Sequence, residues 1–193
     1  LLARWREAIP ADAPNQFVVN IQQDQLEGVR ALLAEQGLPE AQLFPLVRGR
    51  LAAVNGAAFD QEAMAALEER QRRRAEREFN LSATAQFAED NVATAGRLWT
   101  LSDADRAQWS VEEGFAKALG WQVGDVVAFD VGGQRVEAPI TSLRSVDWES
   151  FRPNFFVIGT PAAIANLPAS YITSLHLPED KRGAVNVMVE RFP

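Results

Sequence analysis

The sequence predicts an α+β protein that consists of a βαβ-repeat body and an inserted small β-rich subdomain. Three observations lead to this prediction. Strand, helix and strand patterns follow one another within residues 17–54, a glycine-turned hairpin pattern lies at residues 126–140, and a strand pattern followed by a helix pattern occupies residues 171–192. The two ends of the chain therefore repeat one arrangement, and the β-rich part lies between them.

The domain division follows from this order of elements. Residues 1–94 and 169–193 are predicted to form the mixed α/β body, and residues 95–168 are predicted to form the inserted subdomain. We expect Gly96 and Pro168 to lie near the two points where the chain passes between them.

The composition excludes several classes of protein. The chain has 193 residues and a net charge of −7, which argues against sequence-independent binding of nucleic acid because phosphates need a basic surface. No apolar run approaches the roughly 18 residues that span a bilayer. Cysteine is absent and there is one histidine, so disulfides, iron–sulfur clusters, thiolate zinc sites and multi-histidine metal sites are excluded. Because the first residue is Leu1 rather than Met, we expect the chain to be a segment of a longer protein.

The N-terminal elements have clear start and stop signals. Leu1–Ile9 is predicted to be a short helical lead-in that ends before Pro10, and Phe17–Ile21 has the β-branched and aromatic residues of a strand. A helix follows, in which Asp24 caps the start, apolar residues recur on one face and Gly37 ends it.

A second strand and a long polar helix come next. Leu43–Val54 is predicted to be a strand that ends in an Asn-Gly turn, and Asp60–Glu78 is predicted to be helical. This helix carries five arginines and six carboxylates. Both a solvated connector helix and a patch for nucleic acid or lipid headgroups fit the arginine run, and the net charge of −1 favours the connector.

The middle of the chain is predicted to contain mainly strands and turns. Phe79–Phe87 has a strand pattern, Ala95–Trp99 is rich in turn residues, and Ser110–Leu119 is predicted to be a short helix that Gly120 ends.

The sharpest local signal is a hairpin in which two glycines join Val126–Val131 to Gln134–Ile140. Two glycines suit the positive φ angles of a type I′ turn. Leu143–Val146 and Phe155–Ile158 are predicted to add two further strands.

The last elements are a strand at Tyr171–Leu177 and a helix that begins near Pro178 and runs to Phe192. Acidic residues in the first turn favour this helix through its dipole. Four of its apolar residues are expected to face inward: Ala184, Val187, Met188 and Val189.

The residues that catalysis requires are not arranged for it. A Ser/His/Asp triad could use only His176, which lies in a strand pattern, and no G-x-S-x-G motif is present. Asp103 and Asp105 suggest a calcium loop, but positions six and twelve of that loop are Gln108 and Gly114. Glycine-rich phosphate-binding loops are absent. We therefore predict no catalytic, cofactor-binding or metal-binding residue, and no cofactor.

Residues 147–156 contain four aromatic side chains. In one interpretation, Trp148 and Phe155 close the end of the β-rich subdomain. In the other, Trp148, Phe151, Arg152 and Phe155 form an exposed surface for a partner protein or an apolar ligand. Both interpretations fit the sequence.

Seven segments between residues 77 and 177 carry a resemblance to a known family: Arg77–Ser82, Trp109–Gly120, Val123–Asp125, Phe129–Gly133, Thr141–Arg144, Arg152–Ile158 and Leu167–Ser174. Together they resemble the extracytoplasmic domain of an FtsX-like, MacB-type ABC transporter permease, with the YbbP-like branch as the nearest one.

This resemblance implies a porter-like βαβ-repeat body with an inserted β-rich subdomain, at the periplasmic face of the bacterial inner membrane. The domain would couple ATP-driven motion of transmembrane helices to an extracytoplasmic substrate or partner. It implies no catalytic residue in this chain, because a separate cytoplasmic ATPase subunit hydrolyses ATP. The parent permease would be membrane-embedded and dimeric, and would act on a periplasmic protein or on a lipid or other hydrophobic substrate.

The resemblance also implies that a return strand follows Pro193. We therefore expect the sheet either to have an exposed edge or to pair with a neighbouring molecule. Two other functions remain as alternatives to the permease domain. One is a free-standing extracytoplasmic binding module for a protein or an apolar ligand, and the other is a hydrolase built on carboxylates and His176.

The absence of a phosphate-binding loop predicts that the chain neither binds nor hydrolyses ATP. Millimolar ATP with magnesium should leave the thermal unfolding midpoint unchanged, because only a ligand that binds the native state raises that midpoint. A midpoint that rises with ATP concentration would contradict this expectation.

Overall fold

The computed structural model describes residues 13–38, 41–59, 65, 69, 75, 78–148 and 153–192, which form a mixed α+β fold rich in strands. The strands are β1 (Gln16–Ile21), β2 (Phe44–Val54), β3 (Ala57–Ala58), β4 (Phe79–Ala83), β5 (Asn91–Gly96), β6 (Trp109–Glu112), β7 (Val126–Val131), β8 (Gln134–Val146), β9 (Val157–Gly159) and β10 (Ser170–Leu175). The α-helices whose bounds lie within the described ranges are α1 (Leu26–Glu35), α2 (Glu113–Leu119) and α3 (Gly183–Arg191). Short 3₁₀ turns lie at Gln23–Gln25, Leu101–Asp103, Pro161–Ile164 and Glu179–Lys181.

The chain divides into two compact units, each of which is assembled from separate segments. Unit 1 comprises Leu1–Phe44, Trp148–Pro153 and Ser170–Pro193, and unit 2 comprises Pro45–Asp147 and Asn154–Ala169.

Unit 1 is built on an antiparallel pair of strands, β1 and β10, in which Phe17 lies opposite Ser174. The side chain of Asn15 closes one end of this pair, since it both donates to and accepts from the backbone of Leu177. The helices α1 and α3 bury their apolar residues in the same core, at the three-to-four residue spacing that places side chains on one helix face. The core residues that α1 and α3 contribute are Val29, Leu32, Leu33, Ala184 and Met188.

Two of the residues expected to face inward from α3 do not. Ala184 and Met188 are buried, whereas 38% of Val187 and 63% of Val189 are exposed. The reason is helical geometry: Val187, Met188 and Val189 are consecutive and successive residues point about 100° apart, so the three of them cannot all face the core.

Unit 2 contains a closed circuit of six strands among the described residues. Around the circuit, β2 pairs with β4, β4 with β9, β9 with β6, β6 with β8, β8 with β7, and β7 with β2 again. The pairs β4–β9 and β6–β8 are parallel and the other four are antiparallel. Closure removes the unpaired edges that an open sheet would have at these six strands.

Two long strands make this closure possible because each one pairs with different neighbours along its length. In β2, Val47–Gly49 pair with β4, while Arg50–Val54 pair with β7, with a register shift between Leu51 and Ala53. In β8, the first half pairs with β7 and the second half with β6 and β5. A strand that changes partners along its length can belong to one layer of a barrel at its start and to another layer at its end.

Several predicted elements are confirmed. The hairpin between β7 and β8 turns at Gly132 and Gly133, which have φ angles of 60° and 86°. Gly120 ends α2 in the left-handed conformation, and the turn at Asn55 and Gly56 joins β2 to β3. Predicted strands Leu143–Val146 and Gln134–Ile140 form one continuous strand, β8.

Two segments differ from the prediction. The turn-rich segment Ala95–Trp99 overlaps β5, which pairs with β8, and Gly96 is required there because a Cβ would clash with the carbonyl oxygen of Thr141. The predicted helix Ser110–Leu119 begins as strand β6, and the helix starts only at Glu113. The reason is that β6 is paired on both sides, with β8 and β9, so tertiary pairing overrides its local helical pattern.

The boundaries of the two compact units do not coincide with the predicted domain boundary between residues 94 and 95, which stays a prediction. The chain passes into unit 2 after Phe44, because β2 and β4 pair with β7 and β9 and share one core with them. The later boundary lies at residues 169/170, next to the predicted 168/169. The predicted lead-in helix Leu1–Ile9 lies outside the described residues, as does most of the polar helix Asp60–Glu78, of which Ala65, Glu69 and Ala75 are helical.

Trp109 is the largest side chain that is fully buried in the core of unit 2. Its ring packs on Gly159 of β9, where a Cβ would lie 2.5 Å from Cζ3 of the ring. Its indole N–H donates to the carbonyl of Val127 in β7 at 3.0 Å, and its ring meets that of Phe129 edge to face. One side chain of β6 therefore contacts two other strands of the circuit.

We predict that Gly159→Ala lowers the free energy of unfolding by about 1–3 kcal/mol, because the added methyl overlaps the Trp109 ring in a core that has no space for it. Urea unfolding followed by tryptophan fluorescence measures this. Gly183→Ala is the matched control, since nothing lies within 4 Å of a Cβ at that helical position. Equal stability of the two variants would show that the contact is not a tight one.

Candidate functional site

The partner surface predicted from the aromatic segment is only partly exposed. Trp148 lies in unit 1 and is 50% exposed, whereas Phe155 lies in unit 2 and is 7% exposed. Phe151 and Arg152 lie outside the described residues. The side chain of Phe155 is thus part of the packing of unit 2, and an exposed surface at Trp148 stays a prediction.

The neighbouring residue, Phe156, is the exposed aromatic ring of this segment in unit 2. It stacks on Phe115 of α2 with 4.9 Å between ring centroids and 17° between ring planes. Phe115 in turn meets Phe79 and Trp121 edge to face, which connects the half-exposed ring to the aromatic core.

Arg144 of β8 is the one charged residue among the buried polar side chains of the described part of the chain. Its guanidinium donates to the carbonyl of Ser110 at 2.7 Å, to the carbonyl of Phe155, and to Oδ1 of Asn91 at 2.8 Å. These partners belong to β6, to the segment that precedes β9, and to β5. Arg144 thereby fixes three segments that approach β8.

The electrostatic environment of Arg144 is set by burial. Desolvation lowers the pKa of Arg144 to about 10, and the negative charges of Glu112 and Asp90 oppose this shift. The guanidinium is therefore still protonated at neutral pH and keeps its donors. Its carbonyl partners and its position inside the strand circuit indicate a structural cation rather than a ligand site.

The candidate catalytic and metal-binding residues are not brought together. Nδ1 of His176 lies 2.9 Å from the carbonyl oxygen of Ala13, so this ring is engaged with the backbone. Nowhere in the described ranges do three His, Cys, Asp or Glu side chains gather as metal ligands. Among the helices that the structure describes, none has the length and apolar character needed to cross a bilayer.

Unit 1 contains an apolar groove of about 260 Å³, which we call the β1 groove. It is lined by all six residues of β1 and by residues of α3, which include Ala184, Val185, Met188 and Val189. Leu175 and Phe192 also line it. None of the described residues in its lining carries a charge, although 23% of the residues in the chain are charged.

The shape of the β1 groove depends on a close approach between the chain end and α1. A Cβ at Gly28 would lie 2.9 Å from Cζ of Phe192, so the glycine makes room for this ring. Phe192 then packs against the core of unit 1 while it also lines the groove.

The β1 groove was not predicted from the sequence, although the apolar residues of β1 and α3 are two signals of it. β1 presents both Phe17 and Val19 to solvent, and α3 carries a wider apolar stripe than its core contacts use. Surplus apolar residues on two elements of one small unit indicate a surface with a further contact.

We predict that Arg144→Met lowers the free energy of unfolding by about 1–3 kcal/mol, because it removes the guanidinium donors from the carbonyls of Ser110 and Phe155. Chemical denaturation measures the loss. The control is Arg97→Met, which removes an exposed ion pair with Asp103 at 2.9 Å and should cost about 1 kcal/mol or less. If both variants lose the same stability, the buried bonds are not the cause.

Comparison with known proteins finds a relative among the ABC transporter permeases. No protein-family model matches it. Over all 193 residues it is 35% identical to the uncharacterized ABC transporter permease YbbP of Escherichia coli (strain K12), and the match spans 22% of that relative. This confirms the resemblance to the YbbP-like permeases: the chain is homologous, over its whole length, to one segment of an ABC transporter permease.

Proposed function

We propose that this chain is a periplasmic domain of an FtsX-like, MacB-type ABC transporter permease, and that it couples ATP-driven motion of transmembrane helices to an extracytoplasmic substrate or partner. The observation that carries this proposal is the similarity to YbbP over all 193 residues of this chain. The match begins and ends within a relative more than four times as long, as expected of one domain in a larger permease.

In this proposal the parent is an inner-membrane protein, and the domain lies at its periplasmic face with a porter-like arrangement of its βαβ elements. The remaining partners are a cytoplasmic ATPase subunit and a periplasmic protein or hydrophobic substrate. The parent would be dimeric. The acidic composition suits a domain that binds no nucleic acid.

Coupling of this kind needs a body that transmits displacement rather than absorbs it. The strand circuit of unit 2 supports the proposal because each of its strands is hydrogen-bonded to two neighbours in the circuit. The fully buried Trp109 and Arg144 tie several of those strands together from within. A closed, internally cross-linked body resists shear better than an open sheet does.

The location can be tested with cysteine chemistry in a parent permease from which any cysteines outside this chain have been removed, since the chain itself has none. In the full-length parent permease, Val92→Cys introduces a thiol at a position that is 59% exposed. A membrane-impermeant maleimide should label it in intact cells as fully as a permeant one does, with the buried Ala116→Cys as the unreactive control. Labelling by the permeant reagent alone would place the domain in the cytoplasm and overturn the proposal.

The coupling can be tested with the purified transporter and its ATPase subunit. Gly159→Ala, whose methyl group displaces the Trp109 ring, should reduce the response of ATPase activity to substrate while basal ATP hydrolysis continues. Gly183→Ala should behave as the unsubstituted protein does. An unchanged response in Gly159→Ala would mean that the strand circuit does not carry the coupling.

The second candidate function is a free-standing extracytoplasmic binding module for a protein or an apolar ligand. The uncharged β1 groove is the observation that favours it. Fractionation distinguishes the two proposals: a permease domain stays with the membrane fraction in the native protein, whereas a free-standing module is released without detergent.

A further inference from the structure

Asn55 and Gly56 form the one Asn-Gly pair of the chain, at the turn between β2 and β3. In such a pair the backbone nitrogen of the glycine can attack the side-chain carbonyl carbon of the asparagine, because glycine has no side chain that hinders the approach. Both residues are exposed, and nothing lies within 4 Å of a Cβ built at Gly56. The turn is therefore open to the water that this chemistry requires.

Two other asparagines provide a comparison within the same chain. Among the described residues, Asn20, Asn55 and Asn166 share the left-handed backbone conformation, with φ angles of 60°, 51° and 65°. Asn20 and Asn166 are followed by Ile21 and Leu167, which are branched and buried and so hinder attack by their backbone nitrogens. Reactivity is therefore expected at Asn55 alone of these three.

The side-chain amide of Asn55 is held at both ends by the segment that leads into β7. Its Nδ2 donates to Oδ1 of Asp125 at 2.9 Å, and its Oδ1 accepts from the N–H of Val126 at 2.8 Å. The carboxylate of Asp125 is fixed in turn, since its Oδ2 accepts from the N–H of Gln122 at 2.8 Å. Loss of Nδ2 from Asn55 must break the bond to Asp125, so this bond stabilises the intact amide.

We propose that Asn55 is a site of spontaneous deamidation and that Asp125 is the positioning residue that slows it. In this reaction the Gly56 nitrogen gives up its proton and forms a bond to Cγ of Asn55. The bond between Cγ and Nδ2 breaks, so ammonia leaves with that proton and a cyclic succinimide remains. One water molecule then opens the ring at either carbonyl, which gives aspartate or isoaspartate at position 55. This inference does not depend on the proposed permease function.

The product would weaken the junction between β2 and β7. Their pairing reaches Val54, and Asn55 continues it because its backbone N–H donates to the carbonyl of Val126 at 2.8 Å. After deamidation, a carboxylate at position 55 would face that of Asp125, and like charges repel. Because the β2–β7 pair closes the strand circuit, the modification acts on that closure.

The rate can be measured on the chain itself, incubated under native, mildly alkaline conditions and followed by peptide mapping with mass spectrometry. We expect conversion at Asn55 and none at Asn20 or Asn166. Asp125→Ala removes the acceptor of Nδ2 and should raise the rate about three- to tenfold. Asp125→Asn keeps an oxygen acceptor at that position and should restore most of the slow rate.

Asp130→Ala is the matched control. Asp130 also accepts from a turn N–H, that of Gly133 at 2.8 Å, but in the hairpin at the other end of β7. Its loss should leave the rate at Asn55 unchanged. Thermal unfolding midpoints verify that all variants fold.

The consequence for stability has its own readout. Asn55→Asp places the product in the turn and should lower the thermal unfolding midpoint at neutral pH, and adding Asp125→Asn should restore it because the facing charge is gone. An unchanged midpoint in Asn55→Asp would contradict the weakening of the junction.

Three results would overturn the proposal. The first is no conversion at Asn55, in the chain or in Asp125→Ala, under conditions that convert a free peptide of residues 53–58. The second is conversion in the unsubstituted chain as fast as in that peptide, and the third is equal rates in Asp125→Ala and Asp130→Ala.

Discussion

The strand circuit of unit 2 depends on the contact between Trp109 and Gly159. These residues lie opposite each other where β6 pairs with β9, and a side chain at position 159 would occupy the space of the indole ring. Because the ring can lie flat on the backbone of β9, its N–H reaches the carbonyl of Val127 on β7. The packing of this one ring therefore determines how far apart three strands lie. Phe129 and the aromatic residues beyond it build the core outward from that point.

Arg144 has a complementary role on the polar side of the same circuit. A buried guanidinium loses its hydration, which is costly, and the loss is offset only when its donors are matched by acceptors. Here the acceptors are two backbone carbonyls and one amide oxygen from three separate segments. The hydrogen bonds of Arg144 can therefore form in only one arrangement of those segments, whereas apolar packing alone would be compatible with several arrangements. Together, Trp109 sets the spacing of the strands, and Arg144 determines which segments lie next to β8.

The sequence was most informative where local chemistry decides the structure. Gly132 and Gly133 predict their hairpin because few other residues accept those φ angles, and α1 follows from the spacing of its apolar residues. It was least informative where distant segments decide. β6 is too short for its alternation to stand out beside a helix, and the parallel pairs β4–β9 and β6–β8 leave no local signal. The burial of Phe155 and the exposure of Val189 likewise depend on distant segments: the sequence fitted both a buried and an exposed Phe155, and it predicted an inward-facing Val189.

The order of strands around the circuit has a consequence for biosynthesis. β2 is the first strand of the circuit to be synthesised, and it can pair with β4 as soon as β4 has been made. The other neighbour of β4 is β9, whose residues 157–159 come about 75 positions later in the chain. The circuit therefore cannot close until nearly the whole of unit 2 has been synthesised. Contacts between positions so far apart slow folding, since the intervening chain must be ordered before they form. During that interval one edge of β4 is unpaired, and the Trp109 ring has no Gly159 to pack on. The nascent domain is therefore most vulnerable to aggregation and proteolysis just before β9 has been synthesised.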